Sequence, residues 1–415
     1  MNPQEALQQA FKAGLAAAQP GSAVERHLPL PPSGHTIVVG AGKGAVPMAL
    51  AVDHAWDAPL SGVVITPHGT TGESLPDRIS VLEAAHPVPD ATGVAATGEV
   101  LQAVQDLTTD DQVICLISGG GSALMTYPLG VTLEEKAALM SQFLRCGASI
   151  REINTVRKHL SGVKGGRLAV ASAPARIVSL IVSDVTGDDL STIASGPTVP
   201  DPTTFLDALA ILKHYGINSP TAQAHLERGV RGEIDETPKP GSSVFKRAEN
   251  QLIVTSSHAL DAAMRDLQSN GIDAQVTSDQ IEGESRKVAL DHAQQAKQLT
   301  PRGALLSGGE TTVIVTGQGY GGPNLEFLLA LSIALEGESG IYALAADTDG
   351  IDGTGKAAGA FITPDTQERA KHLGLDPQAA LANNDAFTFF AALDDLLVTG
   401  PTGTNVNDIR IIMRV

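Results

Sequence analysis

Cysteine is nearly absent from this chain. The two present, Cys115 and Cys146, have no spacing that suits a metal site or a disulfide framework, so both read as reduced core thiols. Aromatic residues make up only 3% of the sequence, too few for a surface that stacks bases. Positive charge is also scarce. Lys and Arg number 28 against 46 Asp and Glu, a formal net charge of -18, which disfavours a polyanionic partner. No apolar run reaches the roughly 20 residues that cross a bilayer. The N-terminus has no basic region followed by an apolar one, as a secretory signal would. Nucleic acid and membrane are therefore not expected as partners, and the cytoplasm is the expected location.

Glycine is plentiful, at 43 of 415 residues, and it is placed in patterns. The length favours two domains. Leu7, Phe11 and Leu15 repeat at helical spacing in a helix expected to run to Ala18 and to stop at Pro20-Gly21. Thr36–Val39, Gly62–Ile65, Ser80–Ala84, Val113–Ile117 and Ile177–Val182 are apolar runs separated by helix-like stretches. This alternation predicts a mostly parallel sheet with helices on both faces. Ligands bind such sheets beyond the carboxyl ends of the strands. Lys43, His86 and Ser118 to Ser122 fall at those ends.

The central stretch is Ser118-Gly119-Gly120-Gly121-Ser122. Three consecutive glycines remove every Cβ, so backbone N–H groups can approach a phosphate or carboxylate. Ser307-Gly308-Gly309-Glu310 follows a second apolar run and reads as a second turn of the same kind. Gly40-Ala41-Gly42-Lys43-Gly44-Ala45 matches the G-x-G-x-x-A dinucleotide turn. The next strand, however, ends in Thr66-Pro67-His68, without the acid that would bind a ribose. Lys43 places a cation at this turn. Arg157, Lys158, Lys164 and Arg167 form a basic cluster in an acidic protein, and Arg157 and Lys164, seven apart, are expected on one anion-facing helix face. Asp184, Asp188 and Asp189 close another strand. They could hold Mg2+ or orient cations, and Asp189 reads as an Asx-turn and N-cap residue. Asp235 to Ser243, with Pro238, Pro240 and Gly241, is the linker expected between domains 1–240 and 241–415. In the second domain, Leu252–Thr255, Thr312–Val315, Ile341–Ala345 and Ile409–Ile412 read as strands.

These motifs together resemble the class II glycerate kinases, two-domain glycerate 2-kinases whose second domain is called MOFRL. The residues carrying the resemblance are Gly40–Lys43, His86–Asp90, Ser118–Ser122, Asn154–Leu160, Ser183–Val185, Ala194–Thr198, Ser307–Thr312, Ala345–Gly353 and Thr399–Asp408. The resemblance implies an α/β protein: a Rossmann-like, mostly parallel three-layer first domain, a smaller α/β second domain and an active site in the cleft between them. It implies phosphoryl transfer from ATP, with Mg2+, to the 2-hydroxyl of D-glycerate. It assigns the catalytic lysine to Lys43, an acidic residue to Asp349, and structural carboxylates to Glu310 and to Asp184 or Asp188. Gly42, His86, Ser118 to Ser122, Lys164, Asp184, Ser307 to Glu310 and Asn324 are the expected substrate and phosphate contacts, with Asp184 and Asp188 as metal ligands. A homodimer is compatible with this reading.

One departure matters. Where many members read Gly-Gly-Arg-Asn-Gln-Glu, this chain reads Gly321-Gly322-Pro323-Asn324-Leu325-Glu326, losing a catalytically important arginine. No basic residue lies between Arg302 and Lys356, so Arg157 is the expected replacement. Two other activities stay open: a nicotinamide-dependent hydroxypyruvate reductase, a label some members have carried, and a non-catalytic sensor of a phosphorylated metabolite.

Overall fold

A computed structural model describes residues 2–70 and 74–415. The chain divides into two compact units: Pro20–Ile253, and the residues up to Gln19 together with Val254–Val415. The first holds a six-stranded sheet of β1 (Thr36–Ala41), β2 (Leu60–Pro67), β3 (Ile79–Ala84), β4 (Gln112–Ile117), β5 (Arg176–Val182) and β6 (Ala248–Val254). The order is β3-β2-β1-β4-β5-β6, and every pair from β3 to β5 is parallel. All six residues of both β1 and β4 are buried, as their unbroken apolar runs require of central strands covered on both faces. Ile37, Val39 and Ala41 of β1 share a core with Ala96 and Val100 of the helix Ala91–Ala103. After β1 the chain builds outward through β2 and β3, then returns to the other side of β1 with β4. The carboxyl ends of β1 and β4 therefore form the topological switch point where open α/β sheets bind ligands.

The second unit is smaller and its sheet is mixed. It contains β7 (Asp273–Glu284), β8 (Gly303–Thr312), β9 (Ile341–Asp347), β10 (Gly359–Ile362), β11 (Leu396–Leu397) and β12 (Asp408–Arg414), in the order β11-β10-β9-β12-β8-β7. Only β7 and β8 run parallel. β12 lies antiparallel between β8 and β9. The helix Pro323–Leu335 packs on this sheet through Leu325, Phe327 and Leu331, against Leu305, Ala345 and Ile412. No helix among the described residues is long and apolar enough to cross a membrane.

Several expectations need correction. The N-terminal helix, Pro3–Ala17, belongs to the second unit: Leu7 and Phe11 are buried, and a Cβ on Gly14 would lie 3.0 Å from the Ala259 carbonyl oxygen. Pro20 does not merely stop it but opens the next helix, Pro20–His27, where its missing N–H costs nothing. The division near 240 moves to Ile253 because β6, expected in the second domain, is the edge strand beside β5. The expected linker is packed rather than free, with Thr237 buried and its hydroxyl donating to Asp201 at 3.1 Å. Thr312–Val315 is not a strand. Ladder pairing ends at Thr312, Ile314 and Val315 are exposed, and Asn384 Nδ2 donates to the Ile314 carbonyl at 3.2 Å. Cys115 is buried as expected, but Cys146 is exposed at its helix end.

Candidate active site

The switch point brings two turns into contact. Gly42 follows β1 at a φ of 149°, where a Cβ would fall 2.0 Å from the Ser118 hydroxyl. The hydroxyl occupies that space and accepts the Gly44 N–H at 2.9 Å. Lys43 N–H donates to the Gly119 carbonyl at 2.8 Å, Gly42 N–H to Ile65 at 3.0 Å and Ala45 N–H to Gly42 at 3.1 Å. Every N–H of the apparent dinucleotide turn is thus spent inside the protein, and this turn cannot act as a phosphate cradle. What it offers is the Lys43 side chain.

The triple-glycine turn differs. Among the described residues, the N–H groups of Gly119, Gly120 and Ser122 donate to no protein acceptor. Gly120 has a φ of 82° and heads a short helix, Gly121–Leu124. Its missing Cβ would lie 2.9 Å from His86 Cδ2, and that of Gly119 would lie 2.3 Å from Asp184 Oδ2. His86 and Asp184 therefore rest directly on the glycines. Lys43 acts on both. Burial raises the Asp184 carboxyl and Lys43 opposes that shift. His86 is lowered first by burial, then by Lys43. The structure thus gathers Gly42, Lys43, His86, Ser118 to Ser122 and Asp184.

The basic cluster divides by role. The helix carrying Arg157 runs Ile150–His159 and ends at its cap Leu160, so Arg157 and Lys164 do not share a helix face. Lys164 is also unavailable to a ligand. It is fully buried, and its ammonium donates to the carbonyls of Ser122 at 2.8 Å, Met125 at 3.1 Å and Ala194 at 3.4 Å. It braces the glycine turn from behind. Burial holds its pKa well below the ordinary lysine value. Lys158 pairs with Asp201 at 3.6 Å, and Arg167 donates to the Asp235 carbonyl at 3.0 Å. Arg157 donates to Asn154 Oδ1 at 2.8 Å. That oxygen also accepts from Ser195, whose hydroxyl meets Ser122 Oγ at 2.5 Å. Asp188 stands apart at a left-handed φ of 55°, and Asp189 closes an Asx-turn rather than capping a helix, accepting the Ser191 N–H at 3.0 Å and the Thr192 hydroxyl at 2.7 Å.

In the second unit the Ser307-Gly308-Gly309-Glu310 turn does not exist; all four residues lie within β8. A Cβ on Gly308 would meet Ser256 Oγ at 2.4 Å, and one on Gly309, at a φ of 107°, would meet the Ile281 backbone at 2.3 Å. These glycines admit neighbouring structure rather than a ligand. Ser307 is buried against His292 Nε2 at 2.9 Å, and exposed Glu310 stands opposite Glu282 of β7.

The polar focus of this unit is a carboxylate cluster where β9 and β12 meet, with Asp347 facing Asp408 in register. Asp347 Oδ1 accepts the Asp349 N–H at 2.8 Å, and Asp349 Oδ1 accepts from Ile351 at 2.9 Å. Asp347 is held well above the usual carboxylate range by burial, Asp408 and Asp349. Burial raises Asp408 against the pull of Arg410. Asn324 is buried as the clamp of this cluster, its Nδ2 donating to Asp408 at 2.6 Å and to Asp352 at 3.3 Å. Asp352 also accepts the Asn324 and Leu325 N–H groups at 3.0 and 2.9 Å, capping the Pro323–Leu335 helix, and burial lifts its pKa to about 7.

Asp352, Asp408 and Arg410 escaped the residue-level reading because only folding brings residues 324, 352 and 408 together. Lys136 also escaped, although its signal was present. It stands between Leu133 and Leu139 at three-residue spacing, a lysine in an apolar helical stripe, and it is buried.

Two family models match: a domain of unknown function, DUF4147, over residues 6–227 and the MOFRL family over residues 303–408. The chain is 42% identical over 409 residues to the D-glycerate 2-kinase of Thermotoga maritima, covering 96% of this chain and 95% of that one. The crystal structure of a Thermotoga maritima glycerate kinase superposes with a TM-score of 0.91 at 40% identity, covering 99% of both chains. The chain belongs to the glycerate kinase family. A further relative of this glycerate kinase homologue, from Agrobacterium vitis, is 47% identical over 425 residues, covering 100% of this chain and 95% of its own. It is provisionally named a hydroxypyruvate reductase.

Proposed function

We propose that this chain transfers the γ-phosphoryl group of ATP to the 2-hydroxyl of D-glycerate, giving 2-phosphoglycerate and ADP, in the cytoplasm. The observation that carries this reading is the division of labour at the switch point. The dinucleotide-like turn has spent its N–H groups and presents Lys43, while the triple-glycine turn keeps three N–H groups free beside it. A reductase would need the first turn open to a pyrophosphate. The provisional name of the Agrobacterium vitis relative is what favours that second reading.

In the transfer, a bond forms between the glycerate 2-oxygen and the γ-phosphorus, and the bond to the β,γ-bridging oxygen breaks. Such reactions need positioning and neutralisation of the equatorial oxygens. We assign neutralisation to Lys43 and to Arg157, the cation we substitute for the arginine missing at Pro323. We assign acceptance of the hydroxyl proton to Asp349, with Asp347 beside it holding a proton. Mg2+ fits this donor set modestly. Among the described residues no three acidic, His or Cys groups surround one metal position, but nucleotide-bound Mg2+ commonly takes only one or two protein carboxylates. Asp184, half-buried and with Lys43 as its opposing charge, is the carboxylate that would hold the ion, which would offset phosphate charge. Isolated Asp188 is the weaker ligand.

Incubation with D-glycerate and MgATP, and separately with hydroxypyruvate and NADH, tests the reading. D-glycerate-dependent ADP formation with 2-phosphoglycerate as product is expected. Rapid NADH oxidation without ADP formation overturns it.

A further inference from the structure

Three cations gather near the triple-glycine turn: Lys136 and Lys164, both buried, and half-buried Arg157. Among the described residues, no carboxylate lies within ion-pair distance of any of them. Burying unpaired like charges together costs free energy that the fold itself does not recover. Lys164 is satisfied by three carbonyls. Lys136 has only the Thr126 hydroxyl, at 3.1 Å, and Arg157 only Asn154. Both line one cavity of about 500 Å³, which also touches Gly120 and Ser122.

The rest of that cavity is apolar. Pro87, Val88 and Pro89 form one wall, and Leu133, Met140 and Leu144 of the helix Leu133–Cys146 form the other. Val88 and Leu144 stand 65% and 77% exposed at its mouth, so the apolar slot opens to solvent. A three-carbon hydroxy acid is far smaller than this space and has no use for its walls. A nucleoside polyphosphate fits both halves, with a flat base for the slot and phosphates for the cations.

We propose that this cavity is the nucleotide seat: the base lies between the His86–Pro89 segment and the helix Leu133–Cys146, and the phosphates meet Lys136, Arg157 and the Gly120 turn. This deepens the kinase reading and rests on it. Lys136 thereby becomes a phosphate-binding residue, buried because the bound polyanion supplies its counter-charge. Burial and neighbouring Arg157 lower its pKa to about 7, as expected of an ammonium awaiting such a partner.

The test is calorimetric titration of ADP, inorganic tripolyphosphate and D-glycerate into the unmodified chain, Lys136→Met and Leu144→Asp, with a thermal melt of each. Lys136→Met should weaken ADP and tripolyphosphate alike, by about tenfold or more, the usual scale for a lost charge-assisted contact. Leu144→Asp, a surface change that leaves the core intact, should weaken ADP about tenfold and leave tripolyphosphate unchanged. D-glycerate binding should not move in either. Native ADP affinity in both variants, or weakened D-glycerate with native ADP, overturns the assignment. If the unmodified chain neither binds ADP nor forms it from ATP, the kinase reading fails. If it forms ADP with D-glycerate while both variants bind ADP normally, only the cavity assignment fails.

Discussion

Ser118-Gly119-Gly120 and Ser307-Gly308-Gly309 share three letters and the apolar strand before them, yet they do opposite things. The first begins where β4 has ended, so its glycines lie beyond the ladder and His86 and Asp184 rest on them. The second lies inside β8, with β12 on one side and β7 on the other, and its missing side chains make room for Ser256 and the Ile281 backbone. A glycine run becomes a binding turn only where the strand releases its N–H groups. Inside a ladder the same run permits a close approach or a bulge, here the register shift of β7 opposite Gly309.

The largest break in the comparison should come at Lys43. If the first run serves chemistry, Lys43→Ala lowers kcat for ADP formation about 10³-fold, the scale for losing a donor to developing charge. The melting temperature should barely change, because half-buried Lys43 holds little of the core. Native kcat would reduce this turn to scaffold. Asp349→Asn asks whether the second unit contributes chemistry although its glycine run does not. Loss of the proton acceptor should cost about 10²-fold in kcat, with D-glycerate binding retained. Normal turnover would direct attention to Asp347.

The paired substitutions Gly120→Ala and Gly309→Ala address the runs themselves. Gly120→Ala forces a Cβ against His86 at a left-handed φ, and should lower kcat/KM about tenfold at a cost near 1 kcal/mol in stability. Gly309→Ala drives a Cβ into strand backbone, and should cost about 3 kcal/mol in thermal or urea unfolding while the folded fraction keeps its activity. Equal effects of both on activity would dissolve the distinction. The smallest effect concerns the charge behind the first turn. Lys136 is lowered to about 7, against about 10.4 for an unfolded lysine. Between those values the unfolded chain binds more protons, so the penalty for burying the ammonium is full below about pH 7 and fades as pH rises. Lys136→Met should therefore raise the melting temperature by a few degrees near pH 6, and by less near pH 9.

The inner strands of the first sheet, β1, β4 and β5, were legible because they are buried runs that need no partner to be recognised, whereas the half-exposed edge strand β6 was placed in the wrong domain. The Ser118–Ser122 turn, Lys43, His86 and Asp184 were legible because each follows such a strand directly. The second sheet was harder. β12 pairs with β8 and β9, more than sixty residues away, and nothing local at Ser307 says that two neighbours will keep it in the ladder. Arg157 and Lys164 were joined by counting residues along a helix that stops at Leu160. Asp352 and Asp408 meet Asn324 only through packing. Lys136 could have been found, because its place in an apolar stripe was already anomalous.

The attachment of Pro3–Ala17 to the second unit orders events during synthesis. The helix leaves the ribosome well ahead of its docking partner, Ser256–Ser269, which follows more than two hundred residues later. At roughly 5–20 residues per second, the exposed stripe of Leu7 and Phe11 waits on the order of ten to fifty seconds for its seat. Meanwhile Pro20–Ile253 has emerged complete and can close its own core. A nascent chain of this protein therefore carries an unsheltered amphipathic helix until Ser256–Ser269 has emerged to receive it.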